Sequence, residues 1–495
     1  MSITLIAIPQ IITPAYNPVK WIADSNLKNY DGFRYVFKIK DESSNVIAEY
    51  RILPSYSTGY GEQDLSKLLS NYVSFDLDNT STNYYAAVNS YFNYKVQLGE
   101  EYTTQIDYVN TLNNSSGNVR INVTNSFIPG DRINIKQDDG GAANPYLEGL
   151  FTVLSATSSY FVVNSSFDLV TDININGIVT YADNRKTIVM GSEYEGAVFN
   201  GALRWLDFPS YDYTDFILGT NQKRWYTNQP TIFYSTLGQD LYLNANNILL
   251  STDYVIFKNS NGEYFYKTIS GTDTINQIAV GANNYGILTP IGAATLPMIK
   301  TNTTYYEFYS ATSNSGIPTA KSLTYRINLD TRVQISEYHC LFLDRLGSFS
   351  SFAFQLKNYE RGDITRDEYN QDVTGYIDGD QWTYRTIENG FKSFNINVKK
   401  TIDLNTNWMT ESMGRYFEEL LTSPQVYLKL ASYTNTENWL YPEDESGCPL
   451  RIPESTEYQP VIITNTNYEV FQQRNNNLIK QSITVKLANQ DVINS

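Results

Sequence analysis

Most of the chain reads as short strands and loops, and in places apolar and polar residues alternate with a period of two, the signature of half-buried strands. FRYVFKIK (33–40) puts Phe33, Tyr35, Phe37 and Ile39 on one face, and NVIAEYRIL (45–53) follows after a polar turn, so the two read as a hairpin. YFNYKVQLG (91–99) resumes strand character. Two segments break this period. In GEQDLSKLLSNYV (61–73), Leu65, Leu68, Leu69 and Tyr72 share a helical face, with Asp64 placed to cap it. Over 407–422, Met409, Met413, Tyr416, Phe417, Leu420 and Leu421 recur at helical spacing, with Asn407 as the expected cap and Pro424 as the stop. A lone helix with one apolar face has to bury that face, and its own sheet is nearest. The spacing predicts a plug on a β-sandwich; a helix that binds a partner is the alternative.

Punctuation by Gly, Pro, Asn and Asp divides the strands into four expected domains. Residues 1–105 read as an N-terminal β-sandwich. Residues 106–188 read as a small inserted barrel-like domain, carried by FIPGDRINIK (127–136), GLFTVLSATSSYFVVNSSF (149–167) and GIVTYADNRKT (177–187). QDDGGAANP (137–145) reads as a flexible tip. Residues 189–310 read as a middle sandwich, in which Asn259-Ser260-Asn261-Gly262 separates two strand runs as a hairpin turn. Residues 311–495 read as a C-terminal β domain holding the helix at 407–422. The expected class is all-β: antiparallel sandwich or barrel domains in series, with one short plug helix in the first and one in the last.

Composition sharpens this. The chain has 495 residues, and its 41 Tyr stand against 5 Met and 2 Cys. Tyr offers an apolar body and a polar tip, which suits pleated surfaces and contact surfaces alike. A net charge of −16 and the lack of basic runs argue against a nucleic-acid partner. NQKRW (221–225) reads as a solvated edge rather than a phosphate site. No run of apolar residues reaches the length of a membrane span. The apolar start, interrupted by Pro9 and Pro14 and without a basic flank, does not read as a signal peptide. Cys340 and Cys448 fit neither a metal spacing nor a disulfide framework, which suits assembly in a reducing cytosol.

Candidate chemistry is sparse. The single histidine, His339, precedes Cys340 in a strand, so the two point to opposite faces and form no dyad. No nucleophile elbow, phosphate-binding loop or zinc spacing occurs. Carboxylates cluster as Glu193 and Glu195 in GSEYEG, as Asp363, Asp367 and Glu368 in RGDITRDEY, and as Asp378 and Asp380 in YIDGDQW. Two converging acids would serve glycoside hydrolysis, and the Asp378-Gly379-Asp380 turn would suit calcium, but an acidic chain scatters such groups and a plain turn explains the latter. Arg361-Gly362-Asp363 is assigned nothing. The reading names no catalytic, cofactor-binding or metal residue, and implies no cofactor.

Several segments carry a resemblance. TPAYNPVKWIADSNLKNYDGFRYVFKI (13–39) with RILPSYSTGYGEQDLSKLLSNYV (51–73) resembles the N-terminal β domain of virion proteins in tailed bacteriophages, particularly those of Bacteroidota hosts. YHCLFLDRLGSFSSFAFQ (338–355) resembles a phage strand pair with an Asn-x-Leu-Gly turn, in which Asp344 stands at the Asn position. The stretch at 407–430, with PVIITNTNYEV (460–470) and NNLIKQSITVKLAN (476–489), resembles the closing domain of such chains. The likeness covers about half the length, mostly the two ends. It implies a non-enzymatic tail or baseplate component that oligomerises, docks other virion proteins, and resides in the virion after assembly in the host cytoplasm. It transfers no active residue. The alternative is a host-glycan-binding attachment protein or a polysaccharide depolymerase, for which Trp205, Trp225, Trp382 and Trp439 are the candidate platforms. A cellular adhesin is the third reading, disfavoured by the missing export signal.

Overall fold

The computed structural model describes residues 3–75, 77, 84–109, 113–115, 118–137, 148–164, 176–183, 185–217, 223–246, 254–269, 275–330, 338–388, 390–430, 458–464, 478–488 and 491–494. The protein is all-β, with sheets built mainly from antiparallel pairings; Ile232–Thr236 runs parallel to Tyr325–Asp330. It divides into two compact units that interleave along the chain: Met1–Thr13, Pro18–Leu68 and Asn93–Val198 form one, and Pro14–Asn17, Leu69–Phe92 and Phe199–Ser495 the other.

In the first unit, Ile3–Ala7, Lys20–Ser25 and Gly61–Asp64 form a three-stranded sheet. Arg34–Asp41 pairs on one side with Val46–Ile52, the expected hairpin, and on the other with Tyr91–Thr103. Trp21 meets Tyr94 edge-on at 6.3 Å between ring centroids, and Tyr35, Phe37, Ile39, Val96 and Leu98 complete the buried layer. Gly61 lies against the Tyr35 ring, where a Cβ would sit 2.3 Å from Cγ. Alternation fails at Val36, which is as buried as its neighbours because both faces of this strand are covered. Buried Glu101 is held by Arg51 at 2.8 Å and Lys186 at 2.7 Å.

Strands between 105 and 181 make a seven-stranded sheet around Phe127, Phe161 and Tyr181. Its strand order is an open path from Asn113–Ser115 to Gln105–Val109, so among the described residues the barrel does not close. Pro129-Gly130-Asp131 turns as expected: Gly130 adopts φ +98° and Asp131 Oδ2 accepts from the Ile128 amide. The tip at 137–145 lies almost wholly outside the described residues.

The expected boundary at 310/311 falls inside the second unit. There a six-stranded sheet joins strands from Ile232–Thr236 to Tyr325–Asp330, and an eleven-stranded sheet places Tyr242–Asn246 between Ile275–Ala279 and Phe349–Phe354. Segments expected to form separate sandwiches thus share sheets and one core, in which Trp225, Phe257 and Phe308 join Phe342, Phe352 and Leu428. The Asn259–Gly262 turn forms the expected hairpin, with Asn259 Oδ1 accepting from the Asn261 and Glu263 amides.

The long helix runs Glu411–Thr422 and is shorter than expected. Thr410, not Asn407, caps it through Oγ1 to the Met413 amide, because Met409–Thr410 pairs as a short strand with Leu478–Ile479. Asn407 Oδ1 instead accepts from the Trp408 amide. The helix stops at Ser423, before Pro424. Its apolar face covers the hairpin Tyr338–Leu343/Phe349–Phe354, with Phe417 on Phe352 at 5.2 Å and Tyr416 on Phe342 at 5.7 Å. That face is consumed internally, so it is not a partner-binding surface. The short helix runs Ser66–Leu69 and continues as a 3₁₀ turn through Tyr72. Asp64 Oδ1 accepts from the Ser66 amide as expected, while Tyr72 is exposed.

Candidate functional site

A group of exposed apolar residues lies on a hairpin arm. Tyr359–Gln371 and Gly390–Asn405 pair along the end of the eleven-stranded sheet, with a register shift between Asp367 and Glu368, and Tyr376–Asp378 pairs with Gln381–Thr383 beyond them. The strand register explains its two faces. Ile364 opposes Val398 and Arg366 opposes Ile396, which sets an apolar patch on one face among the charged and polar residues Glu360, Lys400 and Glu368. Asp363 opposes Lys399, Thr365 opposes Asn397 and Asp367 opposes Asn395, which makes the other polar. Further along, Ile377, Trp382, Ile387, Phe391 and Phe394 are exposed, Ile377 and Phe391 each at 75%. Trp382 packs beside Tyr384 and over Gly375, so the outer end is ordered by aromatic contacts.

This arrangement accounts for the acids singled out in the sequence. Asp363, Asp367 and Glu368 stand on the outermost strand, where charge opposes indiscriminate edge pairing. Asp367 accepts from Asn395 Nδ2 at 2.8 Å, and neighbouring Arg361 pairs with Asp403 at 2.6 Å. Asp378 and Asp380 flank a plain turn in which Gly379 has φ +64°. Glu193 pairs with Lys40, and Glu195 lies 3.9 Å from Lys95. Lys40 holds the exposed Glu193 carboxyl below the usual range. The structure brings none of these groups together into an acid pair. Among the described residues no group of three or more His, Cys, Asp or Glu is arranged to hold a metal ion. No helix among them is long and apolar enough to cross a membrane.

His339 is buried in the central strand, its Nε2 3.2 Å from Thr236 Oγ1, and Gly238 abuts its ring. Cys340 faces the opposite, apolar side, and burial pushes its thiol far up. Cys448 and Trp439 lie outside the described residues. Trp205 and Trp382 are exposed, while Trp225 is wholly buried.

Sequence reasoning missed two things here. The strand 359–371 went unseen because its charges hide the alternation, although the long alternating partner FKSFNINVKK implied one. It also missed the buried acids near the helix. Asp344 fastens its turn by accepting from the Leu346 and Ser348 amides at 2.9 and 3.0 Å and from Thr227 Oγ1 at 2.7 Å. Burial, with the Glu419 charge adding to it, pushes its carboxyl up to about 7. Glu419, also raised by burial, is met by Arg345 at 3.2 Å and Arg204 at 3.5 Å. On the other face of the sheet, Asp240 and Lys429 form a buried pair at 2.8 Å, with Tyr458 and Asn283 also on Asp240. Each of these groups is occupied in fastening loops to strands.

No family model matches the chain, and no curated protein matches it. Among solved structures, the adhesin domain of Epf from Streptococcus pyogenes aligns over 61% of this chain and 93% of that one, at 7% identity and a TM-score of 0.13. A likeness that low carries no argument.

Proposed function

We propose that this chain is a non-enzymatic structural subunit of a tailed-bacteriophage virion, a tail or baseplate component. Its copies associate through the hairpin arm and present their β modules to other virion proteins. The observation that carries the reading is the arm itself, whose outer strand ends the sheet and which holds apolar side chains in the open. Fully burying an aliphatic or aromatic side chain contributes about 1.5–3 kcal/mol, and these are already partly covered, so about 1–2 kcal/mol each is available. Six of them, Ile364, Ile377, Trp382, Ile387, Phe391 and Phe394, spread over the arm, would contribute roughly 6–12 kcal/mol if partners covered them all, against a cost of association of about 4–15 kcal/mol. The sequence resemblance at both ends supports the virion assignment. The acids, each paired, fastening a loop or placed on an edge, support a role without turnover.

Placing a photo-crosslinking amino acid at Ile377 tests the contact. The reading expects a covalent dimer of the chain on irradiation. Products confined to single chains at micromolar protein would refute it.

A further inference from the structure

A second surface feature, away from the arm, has the composition of a small-ligand site. A pocket of about 360 Å³ opens between strand Ile232–Thr236 and the segment leading into the helix Glu411–Thr422. This is the size at which pockets enclose small molecules. Its floor is apolar, made by Phe352, Met409 and Met413, all buried. Two aromatic side chains also line it, Trp408 and Tyr234, yet they keep 60% and 57% of their surface exposed. Large rings left open beside a pocket provide flat apolar faces to anything that enters.

The polar side is a hydrogen-bonded row. Asn407 Nδ2 donates to Gln355 Oε1 at 3.2 Å, and Gln355 Nε2 donates to Asp330 Oδ2 at 3.3 Å. Asn407 is fixed in turn by accepting from the Trp408 amide at 2.8 Å. The row therefore has a set orientation. It presents planar groups in sequence, each with a donor or acceptor beside the next. A purely apolar ligand would strip water from these groups and return nothing. An anionic ligand would approach a chain whose net charge is −16. A ligand with one flat C–H face and a rim of adjacent hydroxyls satisfies both walls at once.

We infer that this pocket binds a neutral saccharide of one or two rings, stacked on Trp408 and Tyr234 and hydrogen-bonded along Asn407, Gln355 and Asp330. Asp330 is the one carboxylate among the described lining residues, whereas glycoside hydrolysis needs two. Binding alone is inferred. Trp408 was not among the tryptophans singled out in the sequence, and this inference stands apart from the association reading, since none of its residues lies on the arm.

The test uses the full chain and ligand-observed saturation-transfer NMR with D-glucose, D-galactose, D-mannose, N-acetyl-D-glucosamine, maltose and D-glucuronate. Saturable binding of at least one neutral sugar is expected. Trp408→Ala should weaken it at least about tenfold and Gln355→Ala similarly, with circular dichroism unchanged for the exposed Trp408 variant. Trp382→Ala, on the arm, should leave binding intact. No binding by any neutral sugar up to about 50 mM, equal loss in Trp382→Ala, or glucuronate binding as tightly as the best neutral sugar would each overturn the assignment.

Discussion

Replacing Asp344 with Asn should stabilise the protein, and by an amount that depends on pH in a defined way. Asp344 is wholly buried, and its carboxyl is pushed from an ordinary 3.8 to about 7 by desolvation, against the hydrogen bond from Thr227. Between those two values the folded chain keeps a proton that the unfolded chain releases, so the contribution of Asp344 to parent stability falls as pH rises from about 4 to 7 and is flat above. At 1.36 kcal/mol per pH unit the full penalty is about 4 kcal/mol, reached near pH 7. Asn keeps Oδ1 to accept from the Leu346 and Ser348 amides, and its Nδ2 donates to Thr227 Oγ1 once that hydroxyl turns. Any cost of that turn is the same at every pH. The advantage of Asp344→Asn over the parent should therefore widen by about 3 kcal/mol between pH 5 and pH 8. Urea unfolding followed by tryptophan fluorescence would show this as a midpoint difference growing by up to about 1 M. A difference that stays constant across that range would refute the reasoning, since it would mean the carboxyl titrates alike in both states.

Other positions give independent checks. Burial lowers the Lys267 ammonium from 10.5 to about 7, so the folded state is penalised fully below pH 7 and relieved as pH rises toward 10.5; Lys267→Met should melt above the parent at pH 6.5 and lose that advantage by pH 10, where the neutral amine still donates to Ala279 O. Gly61→Ala forces a methyl into the Tyr35 ring and should cost about 1–3 kcal/mol in denaturant titration. Thr410→Ala removes the helix cap, whose 3.4 Å bond to Met413 N places the loss at about 0.5–1 kcal/mol, while Asn407→Ala should leave the helix content seen by circular dichroism unchanged.

How far the sequence can be read depends on what each signal measures. Alternation at Phe33 to Ile39 and the turn at Asn259–Gly262 are local, and both hairpins stand where the pattern places them. The helix face was legible for the same reason. Its cap was not, because Met409–Thr410 is claimed by a strand from about seventy residues away, and Thr410 then wins over Asn407. Sheet membership is likewise non-local: nothing in LYLNANNILL announces that Tyr242 lies beside Phe349. The pocket gathers Tyr234, Asp330, Gln355 and Trp408 from four segments, so no spacing could mark it. The acid-rich RGDITRDEY looked like candidate chemistry because charge placed on an exposed strand edge has the same composition as a site.

The central claim, that the arm joins copies of this chain, is tested most directly by mass photometry of the purified protein beside the triple variant Ile364→Ser, Phe391→Ser, Phe394→Ser. These side chains are exposed, so folding should survive their replacement. The account predicts oligomers for the parent and monomers for the variant, with superimposable circular dichroism. A parent that remains monomeric at micromolar concentration, or oligomers that persist unchanged in the variant, would contradict it.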